Sequence, residues 1–194
     1  MKKNRIASCK RTTKETDIEL TINLDGQGKN QIDTGIPFFD HMLDGFARHG
    51  LFDLTVSVKG DTEVDSHHTI EDTGIVLGAA FKKSLENSPA IERYGSFYIP
   101  VDEALGFVSL DVSNLPYLVW DCAFSSDRIG DFDTQMAEEF FRAFAVNGGI
   151  TLHARVLYGK NDHHKAEALF KALGHSLKAA VILMICVPLI PVSI

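Results

Sequence analysis

His67-His68-Thr69-Ile70-Glu71 recurs as His163-His164-Lys165-Ala166-Glu167, so one chain of 194 residues carries the pattern His-His-x-x-Glu twice. The two copies hold four of the eight histidines. Each opens a stretch of helical periodicity: Ile75, Leu77, Ala79, Phe81 and Leu85 after the first, and Ala168, Leu169, Ala172, Leu173, Leu177 and Ala180 after the second. Upstream, each copy follows a β-rich run ending at a glycine, Gly60 in one case and Gly159 in the other. Within these runs Leu54, Val56 and Val58, and Leu152, Ala154 and Val156, alternate with polar residues, as half-buried strands do. Further upstream lie two aromatic helical patches, Phe38-Phe39-Asp40-His41-Met42-Leu43 and Glu139-Phe140-Phe141-Arg142-Ala143-Phe144.

The same order of elements in both copies predicts a duplicated α+β fold. Each half is expected to be a small β-sheet backed by helices, over 1–92 and 93–194, with the two related by a pseudo-twofold and packed as one globular domain. Further strands are expected over 18–24, 94–101, 105–112 and 117–122, and Ser88-Pro89 is expected to close the first long helix.

Helix geometry gives the motifs a chemical reading. At about 100° per residue, His67 and Glu71 lie on one face and can share a cation, while His68 is rotated off that face toward a different one. His163, Glu167 and His164 repeat the logic. Imidazole and carboxylate donors without thiolates suit Mn, Zn or Fe. Two metals are expected, each taking a His-x-x-x-Glu pair from one copy and a single His from the other. His41 and Glu139, in the aromatic patches, stand at matching places upstream and would complete the two shells.

The bulk numbers narrow the class. A hydrophobic fraction of 45% with 23% charged residues is ordinary globular composition. A net charge of −7 argues against a nucleic-acid partner. Cys9, Cys122 and Cys186, odd in number and far apart, make no disulfide framework, so a reducing cytoplasm is expected. Met1-Lys2-Lys3-Asn4-Arg5 leads into polar sequence rather than a secretory leader. The apolar stretch 179–194 is shorter than the ~20 residues needed to span a bilayer and is interrupted by Pro188 and Pro191. It reads as a buried strand or an interface segment, and no membrane partner is expected.

The ordered motifs resemble the imidazoleglycerol-phosphate dehydratases of histidine biosynthesis. They include Arg11-Thr12-Thr13-Lys14-Glu15-Thr16, Phe39-Asp40-His41-Met42-Leu43, His67-His68-Thr69-Ile70-Glu71-Asp72, Arg93-Tyr94-Gly95, Asp102-Glu103-Ala104-Leu105, Pro116-Tyr117-Leu118, and the run from His163 to Ala172. The resemblance implies a homo-oligomer of about 24 subunits with two Mn(2+) per active site at subunit interfaces. It implies one ion on His41, His68, His163 and Glu167, and another on His67, Glu71, His164 and Glu139, where many relatives carry His. It assigns acid/base work to Glu15, and substrate contacts to His49, Arg93 and Lys171. The substrate would be a small phosphorylated imidazole, the product imidazole-acetol phosphate. His153 and His175 read as structural.

Two positions depart from the family pattern. Leu115 stands where relatives usually place an Arg against the phosphate, and the end, Val187-Pro188-Leu189-Ile190-Pro191-Val192-Ser193-Ile194, lacks the usual cation. A catalytically impaired metal-binding relative of the same fold is therefore the first alternative to an active dehydratase. A dinuclear metal hydrolase is the second.

Overall fold

The computed structural model describes residues 5–88 and 90–184. The first half runs β1 (Ile6–Thr12), β2 (Thr16–Asn23), β3 (Asn30–Asp33), α1 (Pro37–Gly50), β4 (Asp53–Gly60) and α2 (His67–Leu85). The second runs β5 (Tyr94–Val101), β6 (Ala104–Asp111), β7 (Tyr117–Asp121), a short hairpin of β8 (Arg128–Ile129) and β9 (Phe132–Asp133), α3 (Gln135–Gly148), β10 (Thr151–Tyr158) and α4 (Asp162–Ala180).

The sheets have the same connectivity. Their strand orders are β1-β2-β4-β3 and β5-β6-β10-β7. In each, a hairpin supplies two antiparallel strands, and the last strand pairs parallel to the third across a helix. The duplication is thus visible strand by strand. Sequence reasoning located β2, β4, β5, β6, β7 and β10 to within two residues at either end. It missed β1, β3 and the β8–β9 hairpin. β1 is an edge strand whose burial alternation runs only through Ala7 and Cys9 before its last three residues turn exposed, and β3 spans only four residues, so neither carries a clear periodic signal.

The equivalence is residue for residue in the α–β segments. α1 and α3 each have 14 residues and each is capped by a residue in the left-handed region, Leu51 and Gly149. Counting back from these caps places Glu139 on His41 and Phe144 on Phe46. The aromatic pairs Phe38-Phe39 and Phe140-Phe141 are therefore not equivalent positions, although both lie in the matching helices. The loop before α2 is longer than the loop before α4, which offsets the two His-His motifs relative to their upstream strands.

The halves exchange helices to form one core. α2 packs on α3, and α1 packs on α4, so each helix pair takes one member from each half. A single buried cluster joins them, centred on Phe140. The Phe140 ring lies 5.1 Å from Phe170, 5.3 Å from Phe39 and 6.3 Å from Phe144. Close approach of the helix axes is permitted by Gly78 and Gly174, which are themselves equivalent. A Cβ on Gly78 would meet the Phe144 carbonyl, and one on Gly174 would meet the Phe46 carbonyl.

Helix α2 ends at Leu85, and Ser88 follows in a turn that donates its backbone N–H to the Leu85 carbonyl. Pro89 lies outside the described residues, as does the segment 185–194 with Cys186 and the divergent end. Of the apolar stretch, Ala179 and Ala180 complete α4, and Leu183 forms a single bridge to Ile91. Among the described residues, no helix is long and apolar enough to cross a membrane.

Candidate metal centre

Packing of α1 against α4 brings together side chains distant in the chain. His41 Nε2 lies 3.9 Å from Glu167 Oε1, and His163 Nε2 lies 3.5 Å from Glu167 Oε2. One ligand atom from each residue falls within 4.8 Å of the others, and this is the one such group of three among the described residues. Two imidazole nitrogens and a carboxylate with no thiolate suit Mn, Fe or Zn, so the donor set fits a divalent cation. His163 is anchored from two sides: its ring packs edge-on to Phe38 at 5.1 Å, and Asn161 caps α4 by accepting the His163 backbone N–H.

Burial alone would raise the Glu167 carboxyl. Its hydrogen bond from Lys171 at 2.8 Å and the neighbouring Lys171, His41 and His163 instead leave it below the usual carboxylate value. The carboxylate is therefore ionised at neutral pH and ready to ligate.

The equivalent group on α2 and α3 is not drawn together in the same way. His67 Nε2 and Glu71 Oε2 are 3.3 Å apart, as the helical spacing requires. Glu139, however, faces Arg142, whose Nε lies 3.6 Å away, and Arg142 also pairs with Glu138. His68 and His164 both stand outside the converging group. Each is held by a carboxylate: Asp61 lies 3.0 Å from His68 Nδ1, and Glu103 lies 2.6 Å from His164 Nδ1. These hydrogen bonds raise the affinity of both imidazoles for a proton. Glu103 is in turn lowered to about 2 by the backbone N–H of Asn161, by His164 and by the N–H of Lys160. Sequence reading assigned nothing to Asp61, and it quoted Glu103 only within a motif. The available signal was acidic residues in loops close to the His-His motifs.

Glu15 sits exposed in the turn between β1 and β2. Its carboxylate makes no hydrogen bond or ion pair among the described residues, while its carbonyl accepts the Asp61 N–H at 3.1 Å. His49 Nδ1 lies 3.1 Å from His175 Nε2, and His175 stacks on Phe97 at 5.3 Å. His175, read from sequence as structural, is thus the direct partner of a candidate substrate contact. His153 lies exposed on β10. On α4, His163, Glu167, Lys171 and His175 recur every four residues and form one stripe facing His41, Gly45 and His49 of α1.

Arg93 lies elsewhere. It adopts φ 74°, and its guanidinium is bound in bidentate fashion by Asp111 at 2.6 and 2.9 Å, which holds it firmly charged. Tyr94 pairs with Asp111, and Thr151 with both Asp111 and Tyr117, so Arg93 and Leu115 stand at one end of the second sheet. His164 and Glu103 stand at the other. The eight residues of β10 separate these ends by roughly 23 Å at ~3.3 Å per residue. Leu115 is 72% exposed.

A duplicated α+β body, with a His-His-x-x-Glu segment at equivalent helix starts and one imidazole–carboxylate group converging between its halves, places the chain among the duplicated α+β proteins. Within that class the chain belongs to the imidazoleglycerol-phosphate dehydratase family of hydro-lyases, whose model matches residues 34–177. The imidazoleglycerol-phosphate dehydratase of Clostridium acetobutylicum is 58% identical, covering 93% of this chain and 92% of that protein. That of Symbiobacterium thermophilum is 55% identical, covering 91% and 85%. The crystal structure of the Staphylococcus aureus enzyme is similar at a TM-score of 0.84 and 37% identity, over 92% of this chain and 99% of that one. The Pyrococcus furiosus enzyme in complex with (S)-C348 is similar at 0.79 and 37%, over 91% and 94%.

Proposed function

We propose that the chain dehydrates imidazoleglycerol phosphate to imidazole-acetol phosphate in histidine biosynthesis, with two Mn(2+) per active site. The observation that carries this reading is the convergence of His41, His163 and Glu167 from helices of opposite halves in a chain of this family. One ion is assigned to these three with His68, the other to His67, Glu71 and Glu139 with His164. A bound divalent cation supplies Lewis-acid stabilisation of charge developing on the substrate imidazole.

The chain's own groups do the rest. Glu15, exposed and unpaired among the described residues, is the group for taking and returning a proton. Lys171 and His49 line the stripe leading away from the triad and bind substrate beside it. His68 and His164 lie outside the triad, and Arg93 lies at the far end of its sheet from His164. A complete site on this assignment therefore draws on more than one copy, which supports a homo-oligomer, taken as 24 subunits from the family resemblance. A cytoplasmic location is part of the same reading, supported by Cys9 and Cys122, which are free thiols among the described residues.

The test is turnover of imidazoleglycerol phosphate by Mn(II)-reconstituted protein over a substrate range from micromolar to millimolar. Saturable turnover sustains the proposal. Absence of turnover with two Mn(II) bound favours the impaired relative, a second reading motivated by the uncharged, exposed Leu115. Family membership displaces the dinuclear hydrolase.

A further inference from the structure

The two histidines outside the triad are each held from behind. His68 Nδ1 is 3.0 and 3.2 Å from the two oxygens of Asp61, and His164 Nδ1 is 2.6 Å from Glu103 Oε2. A carboxylate oxygen accepts, so in the neutral form of each ring Nδ1 carries the hydrogen and Nε2 keeps its lone pair. Nε2 of His164 has no hydrogen-bond partner among the described residues; the exposed Asp102 carboxylate is 3.5 Å away.

The two carboxylates do not occupy equivalent positions. Glu103 lies in the β5–β6 turn, whereas Asp61 follows β4. In the first sheet Ile18 pairs with Val58, and in the second Gly106 pairs with Val156. Val58 and Val156 match, so Ile18 matches Gly106, and equal steps back along β2 and β6 bring Glu15 onto Glu103. Glu15 is the residue that would hold His68 if the halves were alike. Instead the longer loop before α2 supplies Asp61, whose backbone N–H binds the Glu15 carbonyl while its side chain takes the histidine.

We propose that Asp61 and Glu103 are positioning residues that fix His68 and His164 as Nε2 donors. Substitution of Asp61 for Glu15 in this duty releases the Glu15 carboxylate for proton transfer. The duplicated site is thereby made asymmetric, with a carboxylate left over on one side only. This inference rests on the metal-dependent dehydratase reading and adds to it the source of the symmetry breaking.

The test is calorimetric titration of metal-stripped, full-length protein with Mn(II). Wild type is expected to bind two ions per chain. Asp61→Ala and Glu103→Ala should each weaken one of the two by about 10–100-fold. Combining Glu103→Ala with His164→Ala should cost no more than His164→Ala alone, because the carboxylate acts through that ring. Glu103 also accepts the backbone N–H groups of Lys160 and Asn161, at 3.0 and 2.7 Å. If the alanine variant does not fold, the cycle is run with Glu103→Gln, which keeps an acceptor and should show a smaller, equally non-additive loss. Glu15→Gln should leave both Mn(II) affinities unchanged.

Additive losses in the cycle, unchanged affinity in Asp61→Ala, or loss of an ion in Glu15→Gln would each overturn the assignment. A wild-type chain that binds no Mn(II) removes the metal reading itself and this inference with it. Two tight ions in wild type and in every variant remove the inference alone.

Discussion

Lys171 Nζ lies 2.8 Å from Glu167 Oε1, the same carboxylate that faces His41 and His163. A cation and a lysine thus compete for one carboxylate. Lys171→Met should tighten Mn(II) binding at the triad severalfold, since a positive charge is removed within contact distance. The same variant should raise KM for imidazoleglycerol phosphate. Calorimetry and steady-state kinetics on one preparation check both, and weaker Mn(II) binding would contradict the argument.

Arg142 sets a similar contest on the other helix pair, where it holds Glu138 and Glu139. Glu139→Ala should weaken one Mn(II) and spare the other. Arg142→Gln should tighten that same ion by freeing the carboxylate. Two-site titration distinguishes the cases, and equal effects on both ions would exclude Glu139 as a ligand.

Gly78 and Gly174 each press against a carbonyl of the opposite half. Gly78→Ala and Gly174→Ala should each destabilise the chain by about 1–3 kcal/mol, because overpacking here displaces backbone rather than a flexible side chain. Urea denaturation measures the loss. Similar values at the two sites are expected from their equivalence.

His49 and His175 form a half-buried pair. Burial lowers both from the ordinary histidine value, and His49 is lowered further by His175 and Lys171. Between pH about 6.5 and the lowered values, the unfolded chain takes up protons that the folded pair refuses. Stability from this pair is therefore full above about pH 6.5 and falls as pH drops below it. His175→Gln should flatten the dependence, read as urea midpoints at pH 7.5 and 5.5.

Leu115 stands exposed at the Arg93 end of the second sheet. Leu115→Arg should lower KM for the phosphorylated substrate by roughly 10–100-fold, since a charge-assisted phosphate contact contributes about 1.5–3 kcal/mol. Unchanged KM would mean that this end does not meet the phosphate.

Local periodicity decides which segments are strands and helices, and the repeated His-His-x-x-Glu pattern decides that there are two halves. These were legible because side-chain spacing is a local property: His67 and Glu71 share a face wherever the helix lies. The strand–helix order of each half followed, while the edge strand β1 and the short β3 left no clear periodic trace. The remainder depends on contacts between segments far apart in the chain. The exchange of helices brings His41 to Glu167 and His49 to His175, and no spacing rule contains those distances. The duties of Asp61 and Glu103 were equally hidden, because a loop carboxylate looks solvated until a neighbouring loop supplies its histidine. Local spacing along the chain thus specifies the duplicated elements and the donor inventory. Packing across the pseudo-twofold selected which donors meet, since that depends on contacts between distant segments.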